Sequence, residues 1–205
     1  MDSLVTQILL ARHGETVWHA ENRYAGSSDV ALTERGVAQS EALGRWARHQ
    51  PIGAVYASDL RRSILTASPA AAALGLDVMI DPRLREVHFG RGEGMTRAEM
   101  EMAFPGALAA FHAHPARSPL PDGERGVDAI ARAWSALEQH AADHAGGRVL
   151  VVMHSSLMRL VLCHALGIDP DRYRTVFPSV RNAAITTVTI GDGETAVHGY
   201  NIPTD

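Results

Sequence analysis

The chain has a single cysteine, Cys163, few aromatic residues (5%) and a formal net charge of −4. One cysteine excludes an internal disulfide and fits a reducing compartment. A slightly acidic balance gives no general attraction to nucleic acid or to an anionic membrane surface, so an anion has to be recognised by a few arginines and histidines gathered in one place. No apolar run reaches membrane-spanning length. Met1-Asp2-Ser3 lacks the cationic start of a secretory signal, and the chain reads as soluble and cytosolic. Eleven histidines invite a metal, yet HExxH and paired-cysteine patterns are both missing. His112-Ala113-His114 is a weak spacing that reads as solvated histidines in a polar loop, and no metal or organic cofactor is expected. Repeats, low-complexity tracts and linkers are absent too. The 205 residues, 46% hydrophobic, therefore read as one domain with a sizeable core.

Short apolar runs are present: Leu4 to Ala11, Ala54 to Ala57, Val78 to Ile80 and Val149 to Met153 suit a sheet buried on both faces. Helical patterns lie between them. Ala38, Ala42, Leu43 and Trp46 share one face, Leu60, Ile64, Ala67, Ala71 and Leu74 a second, and Val127, Ile130, Ala131, Trp134 and Leu137 a third. The alternation predicts a three-layer α/β/α sandwich with a mostly parallel sheet. Ile185 to Ile190 and Thr195 to Tyr200 flank Gly191-Asp192-Gly193, which predicts an edge hairpin. Pro69 should kink or divide the second helix. Residues from about 83 to 125 break the alternation and read as a lid-like insertion, within which Thr96-Arg97-Ala98-Glu99 is a capping box that starts a short helix.

Arg12-His13-Gly14-Glu15-Thr16 directly follows the first apolar run, so a buried strand delivers this loop. An imidazole nitrogen can attack phosphorus and hold it covalently. The guanidinium beside it is a planar fork suited to phosphate oxygens, and Gly14 lets the backbone approach an anion. His154 likewise ends an apolar run, just before Ser155-Ser156, where helical N–H groups favour an anion. In an open α/β sheet, ligands bind beyond the carboxyl ends of the strands, so His13 and His154 should converge at one rim.

Four segments, Arg12-His13-Gly14-Glu15-Thr16, Ser58-Asp59-Leu60-Arg61-Arg62, Glu86-Val87-His88-Phe89-Gly90 and Val151-Val152-Met153-His154, together resemble the histidine phosphatase superfamily, with its phosphoglycerate-mutase-like fold. Leu32-Thr33-Glu34-Arg35-Gly36, Pro121-Asp122-Gly123-Glu124 and Asn182-Ala183-Ala184-Ile185-Thr186 look like its connecting motifs, so the likeness covers nearly the whole chain. It implies His13 as nucleophile, Arg12, Arg62 and His154 around the transferred phosphoryl group, and Glu86 as proton donor. Only the family's Ser-Asp-Leu-x-Arg spacing selects Arg62 over Arg61. A loose phosphoryl transition state needs positioning and charge neutralisation on its oxygens, which two arginines and a second histidine supply. For Glu86 the competing reading is a salt bridge to Arg83 or Arg85. The role of Glu15 stays open, and Cys163 reads as core packing.

The sequence departs from the resembled pattern at His19, where the family often has an asparagine on the phosphate. His19 could donate one hydrogen bond, add a titrating charge, or turn away and leave Asn22 to bind. Ser155 stands where a glycine is frequent, and its backbone N–H is the better phosphate donor. Glu86 to Gly94 looks closer to the family's phosphatases than to its mutases. The expected function is therefore a phosphomonoesterase that acts on a small phosphorylated metabolite and releases inorganic phosphate. The alternatives are a phosphoglycerate-type mutase and a catalytically silent phospho-ligand binder. Arg91, Arg97, Arg117 and Arg125, with Phe89, Met95 and Phe111, are expected to line the substrate pocket. A homodimer, if formed, would use the edge strand or the Trp134 helix.

Overall fold

A computed structural model describes residues 5–191 and 193–204. Met1-Asp2-Ser3, Leu4 of the first apolar run and Asp192 of the expected turn lie outside the described residues. Six strands, β1 (Thr6–Arg12), β2 (Ala54–Ala57), β3 (Val78–Ile80), β4 (Arg148–Met153), β5 (Ile185–Gly191) and β6 (Glu194–Ile202), form one sheet in the order β3-β2-β4-β1-β5-β6. Strands β3, β2, β4 and β1 run parallel, while β5 and β6 add the expected antiparallel edge hairpin.

Period-two alternation divides the central strands between two cores. Ile8, Leu10, Ala54, Tyr56, Val149, Val151 and Met153 face helices α5 (Gly126–Asp143) and α6 (Ser155–Ala165). Leu9, Ala11, Val55, Ala57, Leu150 and Val152 face α1 (Glu34–Ala47) and α2 (Arg61–Leu74). The result is the three-layer sandwich, with both faces of β1, β2 and β4 covered; β3, expected to be buried on both faces, is instead an edge strand with Met79 and Ile80 exposed.

Two helical faces differ from expectation. Ala38 of α1 is exposed, and the buried stripe runs through Gly36, Ser40, Leu43, Gly44 and Ala47. Ala131 of α5 is exposed as well, the inward face being Ala129, Ile130, Ala133, Ala136, Leu137 and His140. Alanine-rich helices carry too little contrast in hydrophobicity to fix their phase. Helix α2 is not divided at Pro69 but runs through it. Gly44 makes room there, since a side chain on it would lie 2.9 Å from Pro69 backbone atoms.

The segment 83–125 holds two helices. In α3 (Arg97–Ala103), Thr96 and Glu99 form the expected capping box; α4 (Pro105–Ala113) was not legible, and its Leu108 and Phe111 join the core beside α5 and α6. A last short helix, α7 (Tyr173–Val176), follows α6. None of the described helices is long and apolar enough to cross a membrane.

Candidate active site

Because β1, β2 and β4 are parallel and in register, their carboxyl ends present His13, Ser58 and His154 along one rim. The His13 amide donates to Met153 O (3.0 Å) and the Ser58 amide to Val152 O (3.3 Å). The imidazoles of His13 and His154 lie 5.1 Å apart between ring centres. A cavity of about 350 Å³ opens over His13, lined also by Arg12, Thr16, Trp18, His19, Asn22, Arg23, Tyr24, Arg62, Glu86, Phe89, Ser155, Arg159, Tyr173 and Arg174. Seven of the eight sequence-predicted site residues border it, and His154 is fully buried beside His13 without lining it. Arg61 is exposed, as the spacing argument required.

His13 Nδ1 lies 2.7 Å from Gly14 O. A carbonyl oxygen only accepts, so Nδ1 carries the proton and Nε2 keeps its lone pair. Arg62 Nε donates to that Nε2 at 3.3 Å, while its two other nitrogens hold Ser28 O and Gly26 O. Burial, then the charges of Arg62 and Arg12, hold the His13 pKa well below its ordinary value, so the ring is neutral at neutral pH. Gly14 has a different task from the one expected: a side chain there would meet Gly36 O at 2.5 Å, so its bareness lets the loop lie against the start of α1.

His154 is fully buried. Its Nε2 is 2.7 Å from Ser58 Oγ, and its Nδ1 has no partner. Burial followed by Arg62 and His13 holds its pKa low too. Arg12 donates to Val180 O (2.8 Å) and to His19 Nε2 (2.6 Å), leaving its buried Nε unpartnered. Burial is the first cause of its pKa falling to about 10, so it stays charged at neutral pH. Two buried polar atoms of residues next to His13 are thus without partners.

Glu86 forms no salt bridge to Arg83 or Arg85, which pair with Asp81 and Asp59. Its carboxylate accepts from the amides of Ser156 (2.9 Å), Leu157 (2.8 Å) and Val87 (3.0 Å). The first turn of α6 therefore holds the protein's own carboxylate, where free N–H groups were expected. The Ser155 amide remains without an acceptor among the described residues. Arg132 fixes the Glu86 segment from behind by donating to the carbonyls of Arg83, Arg85 and Glu86.

The sequence pattern of the histidine phosphatase superfamily, branch 1, matches residues 8–203. The chain belongs to this superfamily. Among its relatives is the metal-independent phosphoserine phosphatase of Arabidopsis thaliana, 37% identical over 78% of this chain and 69% of that one. Phosphoglycerate mutase-like protein 4 of the same plant is 36% identical over 75% of this chain and 68% of that one. The solved structure of Bacillus stearothermophilus YhfR superposes with a TM-score of 0.90 at 29% identity, covering 96% of this chain and 97% of that one.

Within this site, His19 makes contacts through both ring nitrogens. Its Nε2 accepts from Arg12, and its Nδ1 sits 2.9 Å from Thr16 Oγ1. Burial and then Arg12 lower its pKa to about 4, so it adds no positive charge at neutral pH. Asn22 is exposed at the cavity mouth, with the left-handed φ of 53° that asparagine tolerates. Glu15 braces the loop through Thr33 and Arg35 and does not border the cavity. Cys163 is buried, and burial pushes its thiol up to about 11.

The expected pocket lining is mostly wrong. Arg117 is tied to Asp169 and Asp171, Arg125 to Asp128, and Arg91 and Arg97 do not reach the cavity. Of the three apolar residues, only Phe89 borders it. His114 is not simply solvated, since its Nδ1 lies 3.4 Å from Asp171. The lining residues the sequence reading missed include Trp18, Arg23, Tyr24, Arg159, Tyr173 and Arg174. A signal existed for Arg159, a lone cation in the apolar helical run Leu157 to Cys163. Nothing marked Arg174.

Proposed function

We propose that this protein is a phosphomonoesterase that hydrolyses a small phosphorylated metabolite through a phosphohistidine on His13. Nε2 of His13 attacks phosphorus in line; the N–P bond forms as the P–O ester bond breaks, and Glu86 gives its proton to the departing oxygen. Water then attacks phosphorus, Glu86 takes the proton back, and the N–P bond breaks to release inorganic phosphate. Arg12, Arg62 and His154 meet the charge on the phosphoryl oxygens, with the Ser155 amide as a further donor, so the scheme calls on no metal. If Ser58 Oγ donates to His154 Nε2, the proton of that ring sits on Nδ1, the nitrogen without a partner.

The observation that carries this reading is a neutral His13 whose Nε2 meets Arg62 Nε at 3.3 Å, with two buried polar atoms of neighbouring residues, Arg12 Nε and His154 Nδ1, left without partners. A phosphate assay with p-nitrophenyl phosphate and alkyl phosphates tests it. Phosphate release should fall by about three orders of magnitude in His13→Ala. Retained turnover in that variant would overturn the assignment.

The similarity to a phosphoglycerate mutase-like protein favours a second reading, transfer of the phosphoryl group within the substrate. Isomerisation of a phosphoglycerate without phosphate release would select it. The chain is proposed to work as one catalytic domain in the cytosol, where its buried free thiol is at home.

A further inference from the structure

The aim of Arg62 is set by a route that begins in the insertion 83–125. Its side chain is fully buried, with Nε on His13 Nε2 and with Nη1 and Nη2 donating to Ser28 O (2.6 Å) and Gly26 O (2.7 Å). Each of those two terminal nitrogens carries a second N–H, with which a phosphoryl oxygen can be met. The two carbonyls therefore orient the guanidinium fork, and they belong to a turn, residues 25–28, outside every strand and helix.

Glu93 holds that turn. Its Oε1 accepts from the Ser27 amide (2.8 Å) and hydroxyl (3.0 Å), and its Oε2 from the Ser28 amide (2.9 Å) and hydroxyl (2.5 Å). The Phe89 amide adds a longer bond from the insertion itself (3.3 Å). Gly26, with a left-handed φ of 47°, lies so close that a Cβ on it would stand 2.1 Å from Oε1. Burial raises the Glu93 pKa, but the bonds from Ser28 and Ser27 outweigh it and hold the group below the ordinary glutamate value, so it is ionised at neutral pH. The hydrogen bonds that tie residues 26–28 to other segments thus run to one carboxylate, Glu93, and one guanidinium, Arg62. Glu93 itself does not border the cavity.

We infer that Glu93 is a positioning residue for the phosphoryl-binding arginine: by fixing the Ser27-Ser28 turn, it fixes the carbonyls that aim Arg62 at His13 and at the transferred group. A carboxylate suits the task because both of its oxygens accept. A glutamine would set its NH2 against either the Ser27 or the Ser28 amide, donor facing donor, and release that half of the turn. The resulting shift of Arg62 would fall on phosphoryl transfer, where a misplacement of about 1 Å costs on the order of a hundredfold. The inference rests on the phosphomonoester reading above and adds a residue that acts on the reaction only through Arg62.

Three readouts on Glu93→Gln test it: kcat/KM on p-nitrophenyl phosphate, kcat/KM on an alkyl phosphate, and the Ki of vanadate, which mimics pentacoordinate phosphorus. Arg62 serves the phosphoryl oxygens and not the leaving group, so kcat/KM should fall by about tenfold to a hundredfold on both esters alike, with Ki rising in step. In an Arg62→Met background, the same substitution should change kcat/KM by less than about twofold. If Arg62→Met does not fold, the ester comparison and the Ki decide. If Glu93→Gln does not fold, Ser27→Ala combined with Ser28→Ala removes two donors and keeps the carboxylate, and the same pattern is expected at about threefold to tenfold.

Wild-type kcat/KM and Ki in the folded variant would overturn the inference. So would a loss confined to the alkyl ester, which would implicate Glu86 instead, or losses that multiply when Glu93→Gln is combined with Arg62→Met. Wild-type protein that releases phosphate from no ester would overturn the reading on which the inference rests.

Discussion

At His13, one hydrogen bond to Gly14 O settles which nitrogen is nucleophilic, and the surrounding arginines keep that nitrogen unprotonated. Since the ring must be neutral to attack and its pKa is held below 6.5, the loss of kcat/KM caused by protonating His13 should set in only at pH values below that. A pH–rate profile whose acid limb is centred above 6.5 would contradict this. Glu86→Gln should lose far more activity on alkyl phosphates than on activated phenolic esters, whose leaving groups need no proton; equal losses would remove Glu86 as the acid. His19 offers Arg12 an acceptor, so His19→Gln should keep most activity and leave the pH profile in place, whereas His19→Ala should lower kcat/KM by about tenfold. The chemistry-bearing residues were legible because each closes a strand or sits in a recognisable motif. The tautomers were not, since they depend on Gly14 O and on Ser58, which only the fold brings into reach.

Elements deliver these groups through contacts in which backbone touches backbone. The His13 loop lies against the start of α1 so closely that a side chain on Gly36 would stand 2.1 Å from Glu15 O. Gly36→Ala should therefore cost about 1–3 kcal/mol and disturb the loop. Gly106 in α4 has nothing within 4 Å, and Gly106→Ala should stabilise by about 0.5–1 kcal/mol. Chemical denaturation of the two variants checks the contrast, and equal effects would sink the close-packing argument. Strands with uniform apolar character were legible to within a residue or two. The phase of α1 and α5 was not, because their inward stripes are built from alanine, glycine and serine, whose burial reflects close approach more than hydrophobicity. Helix α4 was hidden for a related reason: Pro105 and Gly106 at its start read as loop residues, although proline suits the first helical turn.

Across the whole molecule, every fixed cation is an arginine, since the chain contains no lysine. Five of these arginines meet at one cavity, although the net charge is −4. The wrong arginines were expected there because proximity in sequence to the insertion stood in for proximity in space, while ion pairs with Asp128, Asp169 and Asp171 hold Arg117 and Arg125 elsewhere. Burying two neutral imidazoles also ties stability to pH. His13 and His154 have folded pKa values below the unfolded 6.5, so below that pH the unfolded chain binds more protons and stability falls as pH falls. Each group contributes a slope of at most about 1.4 kcal/mol per pH unit. Thermal melts should show Tm declining from pH 7 to pH 5, and a flat profile would mean that these rings are not held neutral.

The most direct measurement is to quench the protein during turnover of a phosphomonoester, under conditions that preserve phosphoramidates, and map the modified residue by mass spectrometry. A phosphoryl group on Nε2 of His13, formed and lost at rates compatible with turnover, is the predicted result. Steady phosphate release with His13 unmodified, or with the adduct on another residue, would contradict the account at its centre.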